Sequence, residues 1–107
     1  MTQELPILDS TKGKTITTRD PVSQAESHLL VEDEIRIYQT GSPDKIVLLQ
    51  KCRHADSTVT EYRLGYYIIG KRGRMLGKWT WGQFATFVPV EDLQRLVNEA
   101  KRVGWLV

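Results

Sequence analysis

The sequence predicts an α+β domain: a four-stranded antiparallel meander followed by one C-terminal amphipathic helix packed on the sheet (β-β-β-β-α). Three observations carry that prediction. Apolar and polar residues alternate along runs of strand length between Glu34 and Trp81. Short clusters of turn-forming residues separate the runs. After Pro89 the apolar period changes from two residues to between three and four.

The elements follow in order. Residues 1–27 are rich in Thr, Ser, Asp, Gln and Lys and hold few apolar residues beyond Leu5–Leu8 and Ile16. So little apolar surface does not offset the entropy of ordering the segment. It is expected as a flexible tail with a short strand near Thr15–Thr18, ordering, if it does, by adding to a sheet edge. The folded domain is expected over residues 28–107. Glu34–Gln39 alternates, with Ile35 and Ile37 opposite Arg36 and Tyr38. Gly41–Asp44 is a turn, Lys45–Arg53 an aliphatic strand, and His54–Ser57 a second turn. Thr58–Ile69 and Arg74–Trp81 are the last two strands, joined by the glycine-bracketed Gly70–Gly73. Gly65 and Gly77 mark bulges or close backbone approaches.

Pro89 suits a first helical turn, and Glu91 and Asp92 complement the positive end of the helix dipole. Leu93, Leu96, Val97 and Ala100 form the apolar stripe, Lys101 and Arg102 sit at the negative end, and Gly104 is placed as the residue that ends the helix. One helix covers only part of a four-stranded sheet, so the other face must meet water, a ligand or a second protomer.

At 107 residues the chain supports one domain with a modest core, and its 40% apolar and 26% charged content is that of an ordinary globular protein. No apolar run approaches the roughly 18 residues of a membrane span, so no membrane partner is expected. The N-terminus does not read as a secretory signal, and the single Cys52 fits a reducing, cytoplasmic setting. The net charge of +2 is unevenly spread: residues 1–44 carry four Lys/Arg against eight Asp/Glu, and residues 45–87 carry eight against two. Residues 62–87 alone hold seven of the nine aromatics, five cations and no acid.

Catalytic readings find little support. Cys52 and His54, two apart on a strand, do not make a metal site on their own. There is no nucleophile elbow, and Gly70–Gly77 is no phosphate loop, because it leads into a strand and not a helix. Asp44, followed by Glu61-Tyr62-Arg63, superficially resembles the PD-(D/E)-x-K nuclease pattern, with Arg63 in place of the lysine and no preceding helix. Gly65-Tyr66-Tyr67 with Ile68-Ile69-Gly70 resembles the GIY-YIG nucleases, but runs on contiguously where that family has a gap. A small Mg²⁺-dependent nuclease is therefore the last of three expectations, and no resident cofactor or metal is expected.

The first expectation is a non-catalytic nucleic-acid-binding module for single-stranded or non-specific contacts. Its candidate residues are Lys51, Arg53, Arg63, Tyr67, Lys71, Arg72, Arg74 and Lys78. Cations neutralise phosphates irrespective of sequence, and exposed aromatics beside them stack bases. Tyr67 and Tyr38 are the stacking candidates, while Tyr62, Tyr66, Trp79, Trp81 and Phe84 are expected beneath the helix. The order of sheet, basic hairpin and C-terminal helix over residues 34–105 is similar to the Whirly-related single-stranded DNA binders. That resemblance implies dimers paired through their helices, with DNA on the sheets. The second expectation is an assembly module, pairing as a homodimer, or with another protein, through a sheet face or edge.

Overall fold

The computed structural model describes residues 5–82 and 85–105. It is an α+β structure, with one antiparallel sheet curled into a half-barrel and a C-terminal helix. The strands are β1 (Thr15–Arg19), β2 (Glu26–Gln39), β3 (Ser42–His54), β4 (Thr60–Ile69) and β5 (Trp79–Trp81), and the helix is α1 (Val90–Arg102). The strands lie in the sheet in their sequence order.

Alternation predicts four strands and the sheet has five. The fifth strand is β1, the short edge strand expected near Thr15–Thr18. It stands outside the predicted four-stranded meander because its sequence TITTR has one apolar residue and so a weak pattern. It is held by backbone pairing to β2, with Thr15 opposite Leu30 and Arg19 opposite Glu26, while Ile16 packs on Leu29, Val31 and Cys52. Two boundaries also move. β2 begins at Glu26, well before Glu34, and the expected strand 74–81 shrinks to Trp79–Trp81 because Gly73–Met75 forms a short 3₁₀ turn. Gly77 lies in the turn before β5, not inside a strand.

A bulge in β2 organises the core. Val31 stands opposite Cys52 and Asp33 opposite Lys51, so Glu32 is an extra residue. An inserted residue moves everything beyond it to the other face. Leu29 and Val31 therefore point into the concave side with Cys52, whereas Ile35 and Ile37 point to the outer side with Val47 and Leu49. The sheet is apolar on both faces along its middle strands. On the concave face, Ile46 and Leu48 are buried as well.

The helix covers the outer face over β2 and β3, where Leu96 and Ala100 pack against Ile35 and Val47. Its buried stripe is Asp92, Leu96 and Ala100, a spacing of four, while Leu93, expected in the stripe, is 48% exposed. The reason is polar. Thr40, in the β2–β3 turn, donates to the buried Asp92 carboxylate through its hydroxyl (2.6 Å) and its backbone N–H (2.8 Å). Those bonds, with Arg95 nearby, outweigh burial and hold the Asp92 carboxyl below its ordinary value. At the other end Gly104 adopts φ +86°, and the N–H groups of Gly104 and Trp105 return to the carbonyls of Lys101 and Ala100. This is the glycine-terminated helix end that the sequence predicts. It turns Trp105 back onto the core.

Candidate functional site

The curl leaves a groove on the concave face, between β4 and β5 on one side and β1 with the preceding arm (residues 5–14) on the other. The pairing of β4 with β5 sets what lines it. Trp81 stands opposite Tyr67 and Trp79 opposite Ile69, so both tryptophans share a face with Arg63 and Tyr67. That face is opposite the helix. The structure thus corrects the expectation that Trp79 and Trp81 lie under the helix with Tyr62 and Tyr66. The irregular 70–78 loop sets the register, and its 3₁₀ turn cannot be counted through by alternation.

The aromatic groups touch one another. Tyr67 meets Trp81 edge-on with ring centroids 5.1 Å apart, and Tyr38, which is 55% exposed, lies 6.5 Å from Trp79. Arg63 sits 4.4 Å over the Trp81 ring. Gly65 lies beneath that ring, and any Cβ there would overlap it, so the groove floor requires glycine. Gly65 thus marks a close approach, as expected, and what approaches is the protein's own tryptophan.

A chain of hydrogen bonds crosses the face and fixes these groups. Arg63 Nε donates to Gln50 Oε1 (2.7 Å), and Gln50 Nε2 donates to Thr11 Oγ1 (2.9 Å). The Thr11 hydroxyl donates to Glu34 (2.8 Å), which also accepts from Arg36 Nε (2.6 Å). Arg36 reaches on to the Leu8 and Asp9 carbonyls at 2.6 and 3.0 Å, and Trp79 Nε1 donates to the Pro6 carbonyl (2.6 Å). Gln50 and Thr11 are buried, so each link answers a polar group that would otherwise be costly to leave unpaired.

Burial would raise the Glu34 carboxyl, but the bonds from Arg36 and Thr11 outweigh it and hold the value below the ordinary 4.5. A carboxyl lowered on folding contributes stability above its unfolded value and loses it as pH falls through the folded one. Acidification below 4.5 is thus expected to release the 5–14 arm before the sheet unfolds. Hydrogen exchange at Thr11 and Gly13 against pH would show this, with Glu34→Gln removing most of the pH dependence.

Three adjoining hollows make up the groove. One, of about 320 Å³, lies among Lys14, Tyr67, Lys78, Trp79 and the Pro6–Asp9 arm. The next, about 280 Å³, is lined by Lys14, Gln50, Arg63, Tyr67 and Trp81. The third, about 380 Å³, is reached past Arg63 and Ile16 and is bordered by Leu29, Cys52, His54 and Glu61. A larger hollow, about 740 Å³, lies between β2 and α1, but the helix cations on its rim, Arg95 and Arg102, are paired with Asp92 and Glu99.

The eight candidate residues divide into three places. Arg63, Tyr67 and Lys78 come together in the groove. Lys71, Arg72 and Arg74 are exposed in the loop at one end of it, with Lys71 bound to Asp44 at 2.7 Å. Lys51 and Arg53, opposite Tyr62 and Thr60, lie on the outer face and do not join the others. Lys14, Trp79 and Trp81 line the groove although the sequence pattern does not nominate them. Lys14 falls in a segment too polar to signal packing.

The two acids of the nuclease pattern are not brought together. Asp44 lies level with Ile69 and Glu61 stands eight residues away along β4, about 26 Å at 3.3 Å per residue, too far to share one ion. Glu61 instead binds His54 at 2.6 Å. Burial pushes the Cys52 thiol up, away from the thiolate a nucleophile needs. Among the described residues no group of three or more His, Cys, Asp or Glu side chains could hold a metal ion, and no helix is long and apolar enough to cross a membrane. The chain matches no family model, no curated protein and no solved structure.

Proposed function

We propose that this protein is a non-catalytic module that binds single-stranded nucleic acid in the concave groove. The observation that carries the reading is the row Tyr38, Trp79, Trp81 and Tyr67 on one face, flanked by Lys14 and Lys78. Bases stack on the aromatic row and phosphates follow the lysines and the Arg72–Arg74 loop. Arg63 acts here as a positioning residue, holding Trp81 by a cation–π contact anchored on Gln50. Much of the hydrogen-bonding capacity of Gln50, Thr11 and Glu34 is satisfied internally. Few polar groups are left to read base edges, so sequence preference is expected to be low.

Lys14→Glu with Lys78→Glu tests the reading. Both side chains are exposed, so the fold is expected to stand. Binding of a labelled oligothymidylate should weaken, and the slope of log K against log salt should fall by about 0.7 for each phosphate no longer neutralised. An unchanged affinity and slope would remove the groove from consideration.

A further inference from the structure

We propose that the open edge of β4 pairs with the same edge of a second copy, in one register set by charge. Among the described residues, β5 pairs with β4 only at Tyr67–Ile69, and Gly82 donates to the Tyr66 carbonyl one step further on. From Thr60 to Leu64 the outer edge of β4 has no partner among those residues. The bond to Tyr66 shows which groups face outward: alternate residues point the same way, so Thr60, Tyr62 and Leu64 present outward N–H and C=O groups that no described residue pairs. Sheets ordinarily guard such an edge with lysine, proline, a bulge or inward-pointing charge. Thr60–Leu64 has no lysine, proline or bulge, and its two charges, Glu61 and Arg63, are of opposite sign, so a second copy can pair them. The opposite edge, β1, is short and polar.

Directly opposed residues in an antiparallel pair share a face, so a two-fold axis must fall on a residue. On Glu61 the axis opposes two carboxylates, and on Arg63 two guanidinium groups. On Tyr62 it sets each Glu61 against the partner's Arg63, and Thr60 against Leu64. The outward-facing groups of Tyr62, Thr60 and Leu64 then bond across the axis. Two independent features fit this register. Within its own protomer Arg63 hydrogen-bonds only to Gln50 and has no carboxylate in ion-pair range among the described residues, although it is half-buried. On the outer face, Tyr62 (40% exposed) and Leu64 (46%) form an apolar strip beside Trp105 that a second copy would cover. The pairing does not depend on what the groove binds. Its axis runs normal to the sheet, so both grooves open on the same side.

Cross-linking reads the register. With Tyr62→Cys in a Cys52→Ala background, the two Cα atoms should lie about 5.5 Å apart, within disulfide range. Mild oxidation should give a covalent dimer, whereas Asp56→Cys, in the exposed β3–β4 turn, should not. By light scattering in the absence of nucleic acid, Glu61→Arg should shift the dimer to monomer, and Glu61→Arg with Arg63→Glu should restore it. The proposal is overturned by a wild-type monomer at about 100 µM, or by a Tyr62→Cys variant that cross-links no faster than the Asp56→Cys variant. Should Glu61→Arg fail to fold, the cross-linking comparison still decides.

Discussion

Replacing Trp79 and Trp81 together by alanine is expected to weaken single-strand binding at least thirtyfold. Stacking on an aromatic side chain contributes about 1–3 kcal/mol per base, so two platforms supply about 2–6 kcal/mol. At about 1.4 kcal/mol per factor of ten, the lower bound is a thirtyfold rise in Kd. The loss falls on the groove because both rings lie on the concave face, away from the helix that closes the main core. Phenylalanine at both positions keeps a stacking surface and should retain most of the affinity. Anisotropy titrations of the two double variants separate the cases. Equal affinities for the alanine variant and the wild type would mean that the aromatic row is not the platform. Circular dichroism guards against a trivial loss of fold.

Leu96→Ala should cause the other large effect, on stability. Leu96 is 1% exposed and packs with Ile35, Val47 and Ala100, so its truncation leaves a cavity beneath the helix. Such truncations cost about 2–5 kcal/mol, much of the total for a domain of this size. The melting temperature should fall by on the order of 10–20 °C. Because the cavity opens on the outer face, binding by the fraction that stays folded at low temperature should be unchanged. Thermal melts and a low-temperature titration of the same sample measure both. A small drop in melting temperature would mean that α1 contributes less to the core than its packing indicates.

Much of the architecture was legible. Alternation in Glu34–Gln39, Lys45–Arg53 and Thr58–Ile69 places the three long strands, and the change of period after Pro89 places the helix and its glycine end. What the sequence hides is hidden for physical reasons. β1 is an edge strand held by backbone bonds and one isoleucine, so side-chain pattern barely registers it. The bulge at Glu32 is invisible to a fixed period, yet it decides that Val31 and Ile35 serve different faces. Asp92 reads as a surface acid near a helix start, whereas the structure buries it to tie the helix to Thr40.

The candidate site was legible in part. Arg63 and Tyr67 are together because period two is reliable within one strand, whereas Lys78 reaches the groove from the irregular loop before β5, where period two does not apply. Lys51 and Arg53 fall on the outer face because adjacent strands align by register, which composition does not encode. The tryptophans illustrate the same point. Apolar likeness groups them with Tyr62 and Tyr66, and the 70–78 loop instead delivers them to the face with Arg63. The polar chain from Arg63 to Arg36 spans four segments and has no local signature.

Tryptophan fluorescence during titration with an oligothymidylate, compared with a base-free sugar–phosphate strand of equal length, tests the groove most directly. Trp79 and Trp81 line it, while Trp105 packs on the opposite face and serves as an internal reference. Saturable quenching by the base-bearing strand is expected, with weaker, salt-sensitive binding and little quenching by the base-free one. No quenching at low salt, or the same affinity for both strands, would contradict the account.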